Sequence, residues 1–474
     1  MTFADVLAGW LPRQRWYAGN QGPIHDLEIA SDVTLLEGDP GLRHLVVAAA
    51  QGDSTTRYQV LVGLRAAPPA ALSHAVIGPA GRQLTGYDAL HDPELAGVLL
   101  SSITGQRTVG PLRFVRERGA LIENWPDSRV LTTEQSNTSV VYGEAAILKM
   151  LRRPFPGQNP DLEVASALWR LGSSRVAAPL GWVEAVIDGE RNLLGVLSRY
   201  LPHSIDGWSL AVTGLHELYN GDQEETGYGS YSLAAQAVRA GHSAPGRLSR
   251  GWVSEQAADP HFTGEAYLLG RATAEMHADL AAAFGTGPMP PQSLAELAER
   301  MTRSLDRARA EVPELRTHAA KLRASYADIA EITGPVPIQR VHGDYHLGQV
   351  LRTHQGWVAL DFEGEPAVPL AQRRARYPAL KDVAGMLRSF DYAARHQLLG
   401  HPDEEKLQSV AEVWVERCQA AFCAGYAHAG GMDPLANATL LRALMLEKAV
   451  YEVLYEARHR PAWMSIPLGS IAAA

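Results

Sequence analysis

The sequence predicts an α+β protein of two lobes, with an additional β-rich domain at its N-terminal end. In the first 88 residues, short apolar or alternating runs are separated by Gly, Asp and Ser, the pattern of strands joined by turns. Strand-like runs continue to about residue 200, now interrupted by one well-signalled helix. From about residue 201 the apolar spacing becomes helical. Three domains follow: a small N-terminal cap at 1–88, a β-rich lobe at 89–200 and a helical lobe at 201–474.

Within the cap, runs 33–36, 44–50 and 57–64 read as strands. The aromatic-rich stretch 10–19 offers no catalytic chemistry and reads as a helix and turn that anchor the cap on the next lobe. In that lobe, 129–133, 139–142 and 145–151 are strands, with a turn at Gly143 and Glu144. Asn159, Pro160 and Asp161 form a helix start, with a capping side chain, a proline in the first turn and then an acid. The helix 161–171 ends at Gly172, and 192–200 is a further strand. Beyond residue 201, helices are expected at 294–312 and 315–332, interrupted by Pro313. The stretch 219–251, rich in Gly, Ser and charges, reads as a mobile insertion. There are no repeats or coiled-coil heptads.

With 474 residues, 46% hydrophobic, the chain can bury a sizeable core. Its net charge of −9, without a basic block, argues against nucleic acid and anionic membrane surfaces as partners. No apolar run reaches membrane-spanning length, and the first residues lack a signal-peptide pattern. Cys418 and Cys423, five apart in a helical pattern, suit neither a redox pair nor a metal knuckle and read as reduced thiols. A cytoplasmic, soluble monomer is expected.

Most of the chemistry lies in Gln339-Arg-Val-His-Gly-Asp-Tyr-His-Leu-Gly-Gln349 and Leu360-Asp-Phe-Glu-Gly364. The segment 336–341 reads as an edge-like strand entering a loop, followed by strands at 347–351 and 357–360 joined by a turn at 353–356. Asp344 sits on the loop, Gln349 follows five residues later, and Asp361 lies seventeen residues after Asp344. Phosphoryl transfer in a protein-kinase-like fold needs this arrangement. One carboxylate orients the acceptor hydroxyl, while an amide and a second carboxylate hold the Mg²⁺ that bridges the ATP phosphates. Asp344 is therefore the expected base, with Gln349 and Asp361 as Mg²⁺ ligands, hard oxygen donors that suit this ion. The usual amide at the fifth position is Asn; Gln keeps the oxygen on an arm one methylene longer. Glu363 fits a second-metal or water-mediated contact and a plain strand-end residue equally well. His342 is expected to brace the loop and His346 to lie beside the site or in solvent. A metallohydrolase would use the same His-x-Asp-x-His as ligands, but it needs further histidine pairs that the chain lacks.

Lys149, in the apolar run Ala146-Ile-Leu-Lys-Met-Leu151, is the expected phosphate lysine, and Glu163 on the following helix is its expected partner. Glu134-Gln-Ser-Asn-Thr-Ser139 stands where kinases carry a Gly-rich loop. Without glycine, it would offer the hydroxyls and amides of Ser136, Asn137, Thr138 and Ser139 to phosphates. No Walker motif occurs anywhere. Lys448, Tyr451, Tyr455, Arg458 and His459 recur at steps of three and four on one helix face. Such a stripe is a core face in most helices, but its mixture of rings and cations suits a sugar site. Asp382 opens a helix and is expected to brace the catalytic loop.

The chain resembles the actinobacterial maltokinases nearly end to end. The resemblance rests on Trp10-Leu-Pro-Arg-Gln-Arg-Trp-Tyr-Ala-Gly19, the 134–139 motif, His342-Gly-Asp-Tyr-His-Leu-Gly-Gln349 and Asp361-Phe-Glu-Gly-Glu-Pro366. It extends through Asp382-Val-Ala-Gly-Met-Leu-Arg-Ser-Phe390 and Lys448-Ala-Val-Tyr-Glu-Val-Leu-Tyr-Glu-Ala-Arg-His-Arg-Pro461. The resemblance implies an aminoglycoside-phosphotransferase-like fold and Mg²⁺-dependent transfer from ATP to the anomeric hydroxyl of maltose. It also implies Lys448, Tyr451 and Tyr455 as sugar contacts, and a place in α-glucan synthesis linked to trehalose. The cap then fits a regulatory lid and a docking surface for a trehalose-converting partner equally. Two other readings stand beside it: a kinase of the same fold for glucosamine or glucose, and a non-catalytic pseudokinase or scaffold. The intact set Lys149, Asp344, Gln349 and Asp361 speaks against the last.

Overall fold

In the computed structural model, residues 2–17, 24–81, 83–123, 125, 127–131, 136–220, 262–365 and 368–474 are described. The chain divides into two units, one of residues 1–170 with 177–203 and the other of 171–176 with 204–474. The expected insertion 219–251 lies outside the described residues, apart from Tyr219 and Asn220 at the end of helix Gly207–Asn220.

The first unit holds two antiparallel sheets. The five-stranded sheet runs in the order Asp26–Leu36, Gly41–Gln51, Ser54–Arg65, Thr85–Asp88, Val76–Pro79. The seven-stranded sheet runs Thr108–Val109, Leu112–Arg116, Pro179–Ile187, Glu190–Arg199, Ala146–Pro156, Thr138–Tyr142, Ser128–Val130. Along 146–150, Ala146, Leu148 and Met150 are buried while Ile147 and Lys149 are only half-buried, the two-residue alternation of a strand with different faces. Lys149 stands between Ser139 and Val196 on its neighbouring strands. The helix after this strand is Pro160–Arg170, and the Asn159 side chain accepts from the backbone N–H groups of Asp161 (2.9 Å) and Leu162 (3.2 Å).

Aromatic packing and a buried ion pair fasten the two sheets together. Trp10, Leu11 and Trp16, from the helix Phe3–Trp10 and the turn after it, pack into a core with Leu45, Val47 and Tyr58. The Arg152 guanidinium lies 4.5 Å from the centre of the Trp16 ring and pairs with Asp88, both charges being buried. Between Met150 and Phe155 the strand pairing slips. There Gln59 donates its amide to the carbonyls of Leu151 and Leu194, and its own oxygen meets His44 Nε2 at 2.9 Å. Burial keeps His44 neutral, pushing its pKa down to about 4.

The second unit is mainly helical. Its longest helices are Thr263–Phe284, Pro291–Glu311, Leu380–His396, Glu404–His428 and Ala438–His459. The stretch expected as one helix from 315 to 332 is a regular helix only over Ala319–Asp328, with 3₁₀ turns at Pro313–His318 and Ile329–Glu331. Proline at 313 starts the first turn, where its missing N–H costs nothing. Strands Val350–Thr353 and Gly356–Ala359 form a hairpin, with Ile205–Asp206 beside it. The strand expected from 347 starts at Val350, because Leu347–Gln349 is a 3₁₀ turn whose entry His346 caps by accepting from Gly348 N–H at 3.1 Å. Entry into the segment that carries Asp344 is Pro337–Gln339, paired with Thr286–Pro288. Cys418 and Cys423 are buried on one helix with no disulfide between them, and burial pushes Cys423 up to about 12.

Candidate active site

Helix Leu380–His396 organises the loop that carries Asp344. Asp382, in its first turn and 1% exposed, accepts from the backbone N–H groups of His342 (2.7 Å) and Gly343 (2.9 Å), and lies 3.0 Å from His277 Nε2. One turn on, Gly385 lets the helix approach the loop closely: a Cβ there would stand 2.5 Å from the Tyr345 carbonyl oxygen. A further turn on, the Ser389 hydroxyl accepts from Leu347 N–H at 3.2 Å. Positions 382, 385 and 389 share one helix face, so a single rigid element fixes three points of the loop. Tyr345 is buried, and its hydroxyl lies 2.9 Å from that of Thr273.

His342 and Phe362 join the loop to the hairpin exit. The His342 ring packs 4.7 Å from the Phe362 ring, and its Nε2 bonds the Leu360 carbonyl at 2.8 Å. Asp361 follows with φ 62°, a left-handed conformation that costs a non-glycine residue about 1–3 kcal/mol and is typical of functional sites. Gln349 Nε2 donates to Asp361 Oδ2 at 3.4 Å, so the two side chains are neighbours. This pair offers hard oxygen donors, a set that fits Mg²⁺. Glu363 lies two residues on, half-buried. Among the described residues, no three His, Cys, Asp or Glu side chains surround a common metal position. His342 and His346 both serve the loop's own structure, so the metallohydrolase reading finds no ligand set there.

Lys448, expected at a sugar site, meets Asp344, the residue expected as the base. Its ammonium lies 3.1 Å from Asp344 Oδ1 and 2.5 Å from Glu365 Oε1. Burial would strip the proton from Lys448, but Asp344 and Glu365 outweigh it and raise its pKa. Burial likewise pushes Asp344 up, yet Lys448 and His346 leave it below the usual carboxylate range. The Tyr451 ring stands 4.9 Å from the Lys448 ammonium, and burial pushes its phenol up to about 12. Tyr455 stacks 6.3 Å beyond Tyr451 and is 41% exposed.

The rest of the stripe leads away. Arg458 lies ten residues, about 15 Å of helix, past Lys448 and forms an exposed bidentate pair with Glu311 (2.6 and 2.8 Å). His459 bonds the Tyr455 carbonyl at 2.8 Å. Arg458 and His459, expected as sugar contacts, are both engaged on the helix surface.

In the first unit, Lys149 and Glu163 occupy strand Ala146–Pro156 and the first turn of the following helix. Thr138 and Ser139 do not offer hydroxyls to a phosphate loop. They begin a strand and are 6% and 0% exposed, and the Thr138 hydroxyl accepts from Arg152 at 2.8 Å. Ser136 and Asn137, bonded to one another at 3.3 Å, remain at the surface end of that turn, and Glu134 and Gln135 lie outside the described residues.

Glu365 went unnoticed in the sequence, although it stands inside the Asp361-Phe-Glu-Gly-Glu motif. Its partner is 83 positions away, and no local spacing announces such a contact.

The maltokinase N-terminal cap domain family matches residues 10–92, and the phosphotransferase enzyme family matches residues 174–400. A glucosamine kinase of Streptacidiphilus jiangxiensis is 32% identical over 351 residues, covering 72% of this chain and 71% of the relative. The chain belongs to the capped kinases of the phosphotransferase enzyme family. A second relative of this kinase is the glucosamine kinase of Mycolicibacterium smegmatis, 28% identical over 72% of this chain and 77% of its own. A solved glucosamine kinase bound to glucosamine, ADP and inorganic phosphate aligns over 100% of this kinase and 99% of its own chain, with TM-score 0.63 and 25% identity. Another crystal form gives TM-score 0.65 and 26% identity with the same coverage. The aminoglycoside-phosphotransferase-like fold with a β-rich N-terminal cap is thus the fold of this kinase. No helix among its described residues is long and apolar enough to cross a membrane.

Proposed function

We propose that the protein is a kinase for a neutral sugar, transferring the γ-phosphoryl group of ATP to the anomeric hydroxyl of maltose to give maltose 1-phosphate. The observation that carries the neutral acceptor is Lys448, whose ammonium already engages both Asp344 and Glu365. An amino sugar would need a free carboxylate for its own cation, and it would meet a resident positive charge instead. Two rings in line, Tyr451 near that cation and Tyr455 beyond it, support an acceptor longer than one pyranose. The cap, in a family named for maltokinase, points the same way.

Asp344 aligns the anomeric hydroxyl and takes its proton as the new O–P bond forms and the bond from phosphorus to the ADP oxygen breaks. Base assistance of this kind contributes about 10²–10⁴ in rate. When sugar enters, Lys448 releases Asp344 Oδ1 and turns to a sugar hydroxyl while Glu365 retains it. Gln349 and Asp361, with Glu363 close by, would hold Mg²⁺, which neutralises phosphate oxygens. Residues 89–200 would carry the nucleotide through Lys149, oriented by Glu163, and residues 201–474 the acceptor. Maltose 1-phosphate would supply α-glucan synthesis, with a trehalose-converting enzyme as the upstream partner.

Glucosamine is the second reading, favoured by the names of both relatives. Initial rates of ADP release with maltose, glucosamine and glucose separate the two. A higher kcat/KM for maltose, with Lys448→Met shifting the preference toward glucosamine, is the expected result. Preference of the unaltered protein for glucosamine would overturn the neutral-acceptor reading.

A further inference from the structure

The helix that braces the catalytic loop also grips the helix that carries Lys448, and it does so with buried charge. Arg388 lies six residues after Asp382 on Leu380–His396 and is 3% exposed. Its Nε and one terminal nitrogen donate to Glu452 Oε2 at 3.0 and 2.7 Å, and its other terminal nitrogen donates to Asp391 Oδ2 at 2.9 Å. Glu452 is four residues after Lys448, one turn along the same face of Ala438–His459. One turn further along both helices, the Tyr392 hydroxyl donates to Glu456 Oε1 at 3.3 Å. Two rungs at matching one-turn steps, 388 with 452 and 392 with 456, oppose a slip of one helix past the other.

The contacts close a circuit within the second unit. Asp344 is on the loop, the loop hangs from Asp382, Arg388 follows on the same helix, Glu452 meets Arg388, and Lys448 returns to Asp344. Asp391 extends the circuit to the C-terminal helix Ser465–Ala473, accepting from Arg395 at 2.6 Å and from the Ser470 hydroxyl. Helix packing based on apolar contact alone would tolerate a shift of an ångström, whereas a carboxylate oxygen held by two N–H groups of a rigid guanidinium is fixed in distance and direction.

We propose that Arg388 is a positioning residue for phosphoryl transfer: by binding Glu452 it sets the register of helix Ala438–His459 and so holds Lys448 against Asp344 and Glu365. The expected consequence for sugar affinity rests on the sugar-kinase reading. The consequence for Lys448 itself does not. Arg388 is buried behind the helix that carries Lys448, so its loss acts through the placement of Lys448.

Two variants test this. Arg388→Lys keeps the charge but lacks the fork. The pair Arg388→Met with Glu452→Leu removes the Arg388–Glu452 pair together, so that Glu452 is not left as an unpaired buried carboxylate, and thermal melting establishes that it folds. The first readout is acylation of lysines by acetic anhydride, followed by mass spectrometry, in the full-length protein without sugar or nucleotide. Lys448 should be protected in the unaltered protein and labelled at least fivefold faster in the double variant, with the exposed Lys406 unchanged as reference. The second is kinetic: KM for the sugar rises about tenfold or more in both variants, while KM for ATP stays within twofold. Unchanged Lys448 labelling in a folded double variant would overturn the proposal, and so would an unchanged sugar KM in an active one. If the unaltered protein phosphorylates none of the sugars, the sugar-kinase reading fails while the labelling result still decides the role of Arg388.

Discussion

Asp382→Asn tests how the catalytic loop is held. The native carboxylate accepts two backbone N–H bonds, at 2.7 and 2.9 Å, and meets His277 at 3.0 Å. Asparagine keeps the shape but has one acceptor oxygen, and its NH₂ must face a former donor. At least one buried N–H loses its partner, and a hydrogen bond to a charged group gives way to a neutral one. A bond to a charged group contributes about 1.5–3 kcal/mol, and an orphaned donor costs about 1–3 kcal/mol. A loss of about 2–3 kcal/mol in local stability follows, large against a total of about 5–15 kcal/mol. Amide hydrogen exchange over 339–349 should then accelerate about 30- to 150-fold. Asp344 is next to Gly343, one of the two tethered residues, and a displacement of about 1 Å costs about 10²-fold in rate, so kcat should fall about 10- to 100-fold. The pH dependence has a definite sign. Burial pushes Asp382 up, yet His277 and the backbone donor Gly343 pull it below its ordinary value of 3.8. Its stabilisation is present above that value and disappears as pH falls through the lower folded value. The unaltered loop should open in that acid window, and the Asn variant should lack the step. Exchange unchanged by the substitution, with kcat within twofold, would refute the reasoning.

Three further outcomes are expected. Gly385→Ala puts a Cβ 2.5 Å from the Tyr345 carbonyl oxygen. Alanine alone favours a helix by about 1 kcal/mol, so a fall in Tm together with kcat shows that the loop contact dominates, and a rise in Tm would contradict it. Gln59→Leu strands the carbonyls of Leu151 and Leu194 beside the strand of Lys149. Thermal melting should show a loss of about 2–4 kcal/mol, and steady-state kinetics a raised KM for ATP with the sugar KM unchanged. Lys448→Met removes the largest influence that holds the Asp344 pKa down, leaving only His346 and His342 against the upward push of burial. A base works only when deprotonated, so the acid limb of the residual kcat/KM profile should move to higher pH; a limb that stays in place would exclude the pairing.

Local signals were readable wherever the chain's own neighbours decide the outcome. The strand through Lys149 shows in its alternation, the helix at Pro160 in its cap, and the approach of Gln349 to Asp361 in the spacing of their motif. Reading failed where a distant partner decides. Thr138 is polar and was expected to offer its hydroxyl to phosphates, but Arg152 meets that hydroxyl inside the sheet. The helix stripe from Lys448 to His459 has one period but two fates, because Asp344 and Glu365 meet its first turn and Glu311 meets its last. Strand Pro179–Ile187 escaped notice because it is largely buried, which removes the alternation that marks a one-sided strand. Arg388 and Glu452, 64 positions apart, carry no local signature at all.

Phosphorus NMR of the reaction product tests the central claim most directly. The protein is incubated with ATP, Mg²⁺ and maltose, glucosamine, glucose or no sugar, with Asp344→Asn in parallel. The account predicts a new anomeric phosphate signal with maltose that is absent from the variant. A signal with glucosamine alone would contradict the neutral acceptor, and a signal that persists undiminished in Asp344→Asn would contradict the assigned base.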